Sequence, residues 1–266
     1  MAMIRLDRLL VARGLVSSRQ RAKELIEEGQ VLVNGKTSTK ASAPIPGDAV
    51  IEVVGSVLHY PSRAGLKLEK ALNVFDIDVE GRVALDVGAS TGGFTSCLLQ
   101  AGAELVIAVD VGQNQLVEEL RGDPRVVVLE KTNIRDVTLS QLPRPVDLAT
   151  IDVSFISLTK VLPTVQSLLT PQGQVVALIK PQFETEGAGL NKHGVIQDQR
   201  VHMTYLPPLI CQLQGTGLGL VGFDYSPISG ATGNIEYLAH FGLDSPARDA
   251  GELVLGVIEE AWSQLR

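Results

Sequence analysis

The rhythm of apolar and polar positions changes near residue 80. From Gly81 onward, "VALDVG", "LVIAVDVG", "VVVLE", "VDLATIDV" and "QVVALIKP" are nearly unbroken apolar runs separated by stretches of helical period. Such runs are expected of strands covered on both faces, so the pattern predicts a doubly wound parallel sheet with right-handed crossovers. A helix is expected from about Gln199 to Gln214, kinked or restarted at Pro207 and Pro208, where backbone donors are lost. "GLVGFDY" and "NIEYLAHF" read as an antiparallel pair, and a last helix begins at about Ala250.

Before residue 80 the elements are shorter. Leu6, Leu9 and Leu10 fall at helical spacing, and "GLVSSRQRAKELIEEG" predicts a second helix capped by Ser17 or Ser18, with Ala22, Leu25 and Ile26 on one side. Arg19 and Lys23 share the other. "QVLVNGKTST" alternates into an Asn34-Gly35 turn, the strongest short hairpin signal, and "AVIEVV" follows as a further strand. "HYPSRAGLKLEKALNVF" reads as linker and helix, with Ser62 as cap, Arg63, Lys67 and Lys70 along one face, and Leu68, Leu72 and Phe75 along the face that packs. These divisions predict a small N-terminal α+β domain over residues 1–57, a linker and helix over 58–80, and a Rossmann-like α/β domain over 81–266.

Charge reinforces the division. The chain carries −7 overall, but residues 1–70 hold 11 Lys and Arg against 7 Asp and Glu, net +4, while the remaining 196 hold 12 against 23, net −11. A basic module in front of an acidic body points to a polyanionic partner for the first and chemistry in the second. No apolar run reaches the length of about 18 residues that a membrane span needs, and the charged "MAMIRLDRLL" is unlike a signal peptide, so a cytoplasmic protein is expected. Two cysteines, Cys97 and Cys211, exclude a disulfide framework and read as small buried hydrophobes; four scattered histidines offer no metal site.

The stretch "LDVGASTGGFTSCLL" is a strand, a glycine turn and a helix start. It lacks the G-x-G-x-x-G of dinucleotide sites, and Phe94 stands where a phosphate loop needs lysine. What remains is D-x-G-x-x-x-G-G, Asp86 to Gly93, which resembles motif I of S-adenosylmethionine-dependent methyltransferases. The cofactor positions are then Asp86, Gly88, Ser90, Thr91, Gly92, Gly93 and Phe94 on the turn, Asp110 some twenty residues on, where an acid can accept from ribose hydroxyls, Thr132, Asn133 and Ile134 after the third strand, and Asp152 after the fourth. Asp152 and Lys180 end the fourth and fifth strands, and a lysine closing an apolar run is a candidate general base if desolvation and a neighbouring cation act on it.

Two resemblances follow. Residues 3–54, through "LDRLLVARGLVSSRQRAKELI" and "VLVNGK", resemble an S4 RNA-binding domain, which makes Arg5, Arg8, Arg19, Lys23 and Lys36 candidate RNA contacts, and the cationic face of the following helix adds Arg63 and Lys70. Across almost the whole chain, "SRAGLKLEKAL", "LDVGASTGGFT", "DPRVVVLEKTNIR", "IDVSFISL", "LIKPQFE" and "SPISGATGNIEYL" resemble, in that order, the TlyA (haemolysin A) family of FtsJ-like ribosomal RNA methyltransferases. That resemblance implies a Lys67, Asp152, Lys180, Glu236 catalytic tetrad, S-adenosylmethionine as cofactor, ribosomal RNA or ribosomal subunits as substrate, and 2′-O-methylation of cytidine. Ala64, Ser96, Glu118 and Glu119 depart from the family pattern. Other readings of the same features are a noncatalytic RNA-binding protein, a membrane-active haemolysin and a small-molecule O-methyltransferase. The missing D/N-P-P-Y/F motif disfavours base amino-group methylation, and the positions of the two cysteines disfavour attack at a pyrimidine carbon.

Overall fold

The computed structural model describes residues 3–16, 19–27, 29–53, 59–247 and 249–266. The expected Ser17 or Ser18 cap lies outside these, as does the end of "AVIEVV". The chain divides into two compact units, residues 1–62 and 63–266.

In the first unit β1 (Met3–Arg5) leads into α1 (Leu6–Ala12), followed by α2 (Arg19–Glu27), β2 (Val31–Val33), β3 (Lys36–Thr37), β4 (Pro44–Pro46) and β5 (Ile51–Val53). β1 pairs with β4, and β3, β2 and β5 form a separate antiparallel sheet. Asn34 and Gly35 both take positive φ, 50° and 76°, as a tight hairpin of primed type requires, so the turn residues set the β2–β3 register. Leu6, Leu10, Ala22, Leu25, Ile26 and Val31 close a small core.

The second unit opens with α3 (Ala64–Val74). It begins one residue later than a Ser62 cap would place it: Arg63 is the N-cap and makes no capping side-chain bond. β6 (Val83–Val87), α4 (Gly93–Gln100), β7 (Leu105–Val109), α5 (Glu118–Arg121), β8 (Val126–Leu129), β9 (Val146–Ile151), α6 (Leu162–Ser167), β10 (Leu169–Ile179) and α7 (Pro181–Glu184) follow, then α8 (Gln199–Gln214), β11 (Gly219–Tyr225), β12 (Tyr237–Gly242) and α9 (Gly251–Leu265). The seven strands lie in the order β11, β12, β10, β9, β6, β7, β8. β6 to β10 are parallel, and β12 runs antiparallel between β10 and β11. The apolar runs are continuous because these strands are buried on both sides: all five residues of β6 and all six of β12 are buried.

α8 passes through Pro207 and Pro208 as one helix instead of restarting. Leu206, Leu209, Ile210 and Leu213 are all buried around the two prolines, and that packing outweighs two missing donors. Cys211 on this helix is exposed, contrary to the expectation of a buried hydrophobe, whereas Cys97 in α4 is buried.

The strand order reverses beside β6. β7 and β8 continue to one side and β9 and β10 to the other, so the carboxyl ends of β6 and β9 open a crevice where ligands bind in folds of this kind.

Candidate active site

That crevice holds a cavity of about 510 Å³, a size suited to a nucleoside ligand. Its wall carries Gly88 and Ser90 from the turn after β6, Asp110 after β7, Thr132, Asn133 and Ile134 after β8, and Asp152 after β9. Gly88 has φ +87°, and a Cβ there would stand 2.5 Å from the Asp152 carbonyl oxygen. Only glycine lets the two strand ends close to this distance. Gly88→Ala is therefore expected to open the cavity wall and weaken S-adenosylmethionine binding by at least about tenfold, as titration calorimetry would show; unchanged affinity would refute the cradle.

Asp110 holds the turn from the opposite side. Its Oδ2 accepts from Ser90 N–H at 2.8 Å and its Oδ1 from Gly112 N–H at 2.6 Å, which fixes the carboxylate on the cavity wall with lone pairs to spare.

Other residues of the turn have different roles. Asp86, Thr91, Gly92, Gly93 and Phe94 are not on the cavity wall. A Cβ on Gly92, at φ +96°, would stand 2.3 Å from a Leu120 methyl and 2.8 Å from one of Leu116, so this glycine serves packing against the α5 segment. Phe94 is buried in α4. Asp86 is fully buried beneath the turn, where its Oδ2 accepts from the Thr95 hydroxyl at 2.6 Å. Burial pushes its carboxyl up to about 7; the Thr95 bond opposes this and the Asp152 charge adds to it.

The raised value gives stability a sign. An acid held at about 7 in the folded chain but near 4 unfolded keeps its proton longer when folded, so its contribution is complete below about pH 4 and is lost as pH rises to about 7. Asp86→Asn should remove this slope: the stability difference between variant and wild type, from denaturant titrations, should shift in the variant's favour across that window. A pH-independent difference would contradict the assignment.

Several wall residues were not singled out in the sequence: Val111, Gln115, Val153, Ser154, Phe155 and Ile156. Phe155 is 90% exposed, has φ +63°, and its ring centroid lies 4.9 Å from that of Phe183 in α7. An exposed aromatic held by a left-handed backbone at a cavity rim costs strain and solvent contact, which marks a working position. The available signal was a phenylalanine four residues past a strand end in "IDVSFISL".

Lysines and carboxylates meet at the same sheet end. Ile179 of β10 pairs with Tyr237 of β12, so Lys180 one step beyond and Glu236 one step before are brought to the same edge, and Asp152 follows β9 alongside. Lys180 Nζ is 2.6 Å from Asp152 Oδ1 and donates to Ser154 Oγ at 2.9 Å. Its contact partner is a carboxylate, where the sequence suggested a second cation. Lys67, on α3, donates to Glu236 at 2.6 Å, with both residues buried. A Cβ on Gly230 would lie 2.3 Å from Glu236 Oε1, so "SPISGATGN" needs its glycine to admit the acid. Tyr237 is pinned by His202 Nδ1 at 2.7 Å, which fixes the start of β12 behind Glu236.

The candidate RNA contacts separate into groups. Lys70 is engaged inside the second unit: its ammonium bonds Asp224 at 3.1 Å and the Tyr225 carbonyl at 2.7 Å, and sits 3.7 Å from the Tyr225 ring centre. Arg63 caps α3. In the first unit Arg5 and Arg19 both pair with the buried Asp7, each at 3.0 Å, and Arg5 holds that carboxyl well below its usual range. Arg8 and Lys36 are exposed, and Lys23 is half-buried.

A strand order of this kind, a glycine cradle facing an acid and two lysine–carboxylate pairs at the sheet end belong to the methyltransferase class. The chain is a member of the FtsJ-like methyltransferase family, which matches residues 60–243, and it carries an S4 domain over residues 4–51. It is 45% identical to hemolysin A of Brachyspira hyodysenteriae, covering 90% of this chain and 99% of that one. It is 43% identical to the 16S/23S rRNA (cytidine-2′-O)-methyltransferase TlyA of Mycobacterium tuberculosis, covering 88% and 87%. A solved structure from Streptococcus thermophilus, assigned to the hemolysins, matches with a TM-score of 0.80 at 41% identity over 99% of this chain and 97% of that one. S-adenosylmethionine is the cofactor of this family, and the donor set fits it: backbone approach at Gly88, an acid at Asp110 and a largely apolar wall after β9. Among the described residues no group of side chains could hold a metal ion, and no helix is long and apolar enough to cross a membrane.

Proposed function

We propose that this protein methylates the 2′-oxygen of a cytidine ribose in ribosomal RNA. The observation that carries the reading is the placing of Lys180, Asp152 and Ser154 beside the cofactor cavity, with the buried Lys67–Glu236 pair at the same sheet end. The 43% identity to a relative named for this reaction supports it.

When bound, S-adenosylmethionine supplies an electrophilic methyl group. Lys180 is the general base: its Nζ would take the proton of the ribose 2′-hydroxyl, whose oxygen would displace the methyl group from the sulfonium sulfur, the thioether leaving with the electron pair of the broken S–CH₃ bond. Asp152, at 2.6 Å, and Ser154, at 2.9 Å, fix the direction of Nζ toward the cavity. Lys67, held by Glu236, offers a fixed positive charge to the nucleotide. The exposed Phe155 gives an extruded base a surface on which to stack. In the first unit, the arginines preset by Asp7, with Arg8 and Lys36, supply sequence-independent phosphate contacts.

The test is transfer of labelled methyl to ribosomal subunits purified from a host lacking the modification, followed by mapping of alkali-resistant linkages. Label at a cytidine 2′-oxygen is expected. Label on a base, or none on RNA while S-adenosylmethionine still binds, would overturn the reading.

A further inference from the structure

Glu184 closes α7, four residues beyond Lys180, and is absent from the cavity wall. Its carboxylate nevertheless reaches back to the segment after β9: Oε2 accepts from the Ser157 hydroxyl at 2.6 Å and Oε1 from Leu158 N–H at 2.9 Å. The two segments it joins carry the reacting groups. Asp152, Ser154 and Phe155 lie on one and Lys180 and Phe183 on the other, in contact through the Lys180–Asp152 pair, the Lys180 to Ser154 bond and the Phe155–Phe183 rings. Glu184 is thus the outer end of a ladder of cross-links between the β9 and β10 ends.

We infer that Glu184 is a positioning residue that sets the angle of the 152–158 segment, and through it both the Lys180 ammonium and the cofactor wall at Val153 and Ser154. The inference rests on the methyl-transfer reading of Lys180. The segment is anchored at its two ends, by the Asp152 N–H bond to the Val87 carbonyl and by Leu158 in the core, and between them Glu184 is its side-chain tie to α7 besides Lys180 and the aromatic pair. Phe155 takes φ +63°, the residues around it lie between a strand and a short 3₁₀ turn, and the Ser157 cap of that turn is itself bonded to Glu184. Without the carboxylate the Leu158 N–H and Ser157 hydroxyl lose their shared acceptor, and the stretch between the Asp152 and Leu158 anchors loses the bond that sets its angle against α7. A shift of about 1 Å at a reacting group costs up to about a hundredfold in rate.

Full-length wild type, Glu184→Ala, Glu184→Gln and Ser157→Ala would be compared by single-turnover methyl transfer, titration calorimetry with S-adenosylmethionine and thermal unfolding. Glu184→Ala is expected to lose about 10- to 100-fold in kcat with KM for RNA little changed, and to bind the cofactor more weakly. Glu184→Gln should recover to within about threefold, because the amide oxygen still accepts from Leu158 N–H and its NH₂ can donate to the Ser157 oxygen. Wild-type kcat and cofactor affinity in Glu184→Ala would overturn the inference, as would a Glu184→Gln variant as impaired as the alanine. If Glu184→Ala fails to fold, Ser157→Ala, which removes the 2.6 Å contact together with the bonds to Thr159 and leaves the Leu158 bond to Glu184, is assayed by the same readouts, and wild-type kcat and cofactor affinity there would overturn the inference. A wild type that binds cofactor but transfers no methyl would remove the functional reading alone; cofactor affinity across the variants would still decide the latch.

Discussion

Lys180→Arg should bind S-adenosylmethionine within about threefold of wild type and transfer methyl about a hundred- to ten-thousandfold more slowly. A guanidinium can keep the ion pair with Asp152 and the bond to Ser154, so the sheet end remains electrostatically closed. It cannot give up its proton at any accessible pH, so it cannot take one from a hydroxyl. A positioned general base contributes roughly 10² to 10⁴ in rate, and arginine removes that contribution while preserving charge and much of the length. Lys180→Ala is the less informative variant, because it leaves the Asp152 carboxylate without its partner while that carboxylate's charge acts on the buried Asp86 beneath the turn. Single-turnover transfer at saturating cofactor measures the step directly. An arginine variant as fast as wild type would leave Lys180 as a binding group and assign proton removal elsewhere.

The parts of this site that the sequence made legible are those written by period and by glycine. Continuous apolar runs identified the strands, and once the strands are known the positions just past their carboxyl ends, Asp110, Asp152 and Lys180, are the ones a doubly wound sheet exposes to a ligand. Gly88 was legible as a turn residue, but that its missing Cβ admits the Asp152 carbonyl depends on two strands far apart in sequence. Gly92 shows the converse, since the same motif and the same positive φ serve contact with Leu116 and Leu120. Composition alone cannot separate these two uses of glycine.

Charge was harder to read than pattern. Arg63, Lys67 and Lys70 at helical spacing look like one solvent-facing stripe, yet Lys67 and Lys70 turn inward to Glu236 and Asp224, each more than 150 residues away in the chain. Likewise Arg5 and Arg19 look free in sequence, although Asp7 lies between them and binds both. Helical period assigns a side chain to a face; whether that face meets water depends on the acids that the rest of the fold supplies. Lys180 and Asp152 are both legible as strand-end residues and as members of one tetrad, whereas their direct 2.6 Å contact depends on the β9–β10 register.

The buried Lys67–Glu236 pair allows stability and activity to be separated. Glu236→Ala is expected to destabilise the second unit by about 3 to 5 kcal/mol, because it leaves an ammonium in a site that is nearly closed to water. For a domain of this size each kcal/mol corresponds to roughly 2 to 4 °C, so the unfolding midpoint should fall by about 6 to 20 °C. Replacing both partners, Lys67→Met with Glu236→Leu, removes the two charges together, and a well-packed apolar pair often matches or exceeds a buried ion pair in stability. The double variant should therefore regain most of the lost midpoint. Methyl transfer should stay low in both, because the charge that Lys67 offers to the nucleotide is absent from the double variant and misplaced in the single one. If the double variant recovered activity along with stability, the pair would be a packing element and Lys67 would have no part in the reaction. If Glu236→Ala unfolded like wild type, the ammonium must find water or another acid, and the closed geometry at the start of β12 would be wrong.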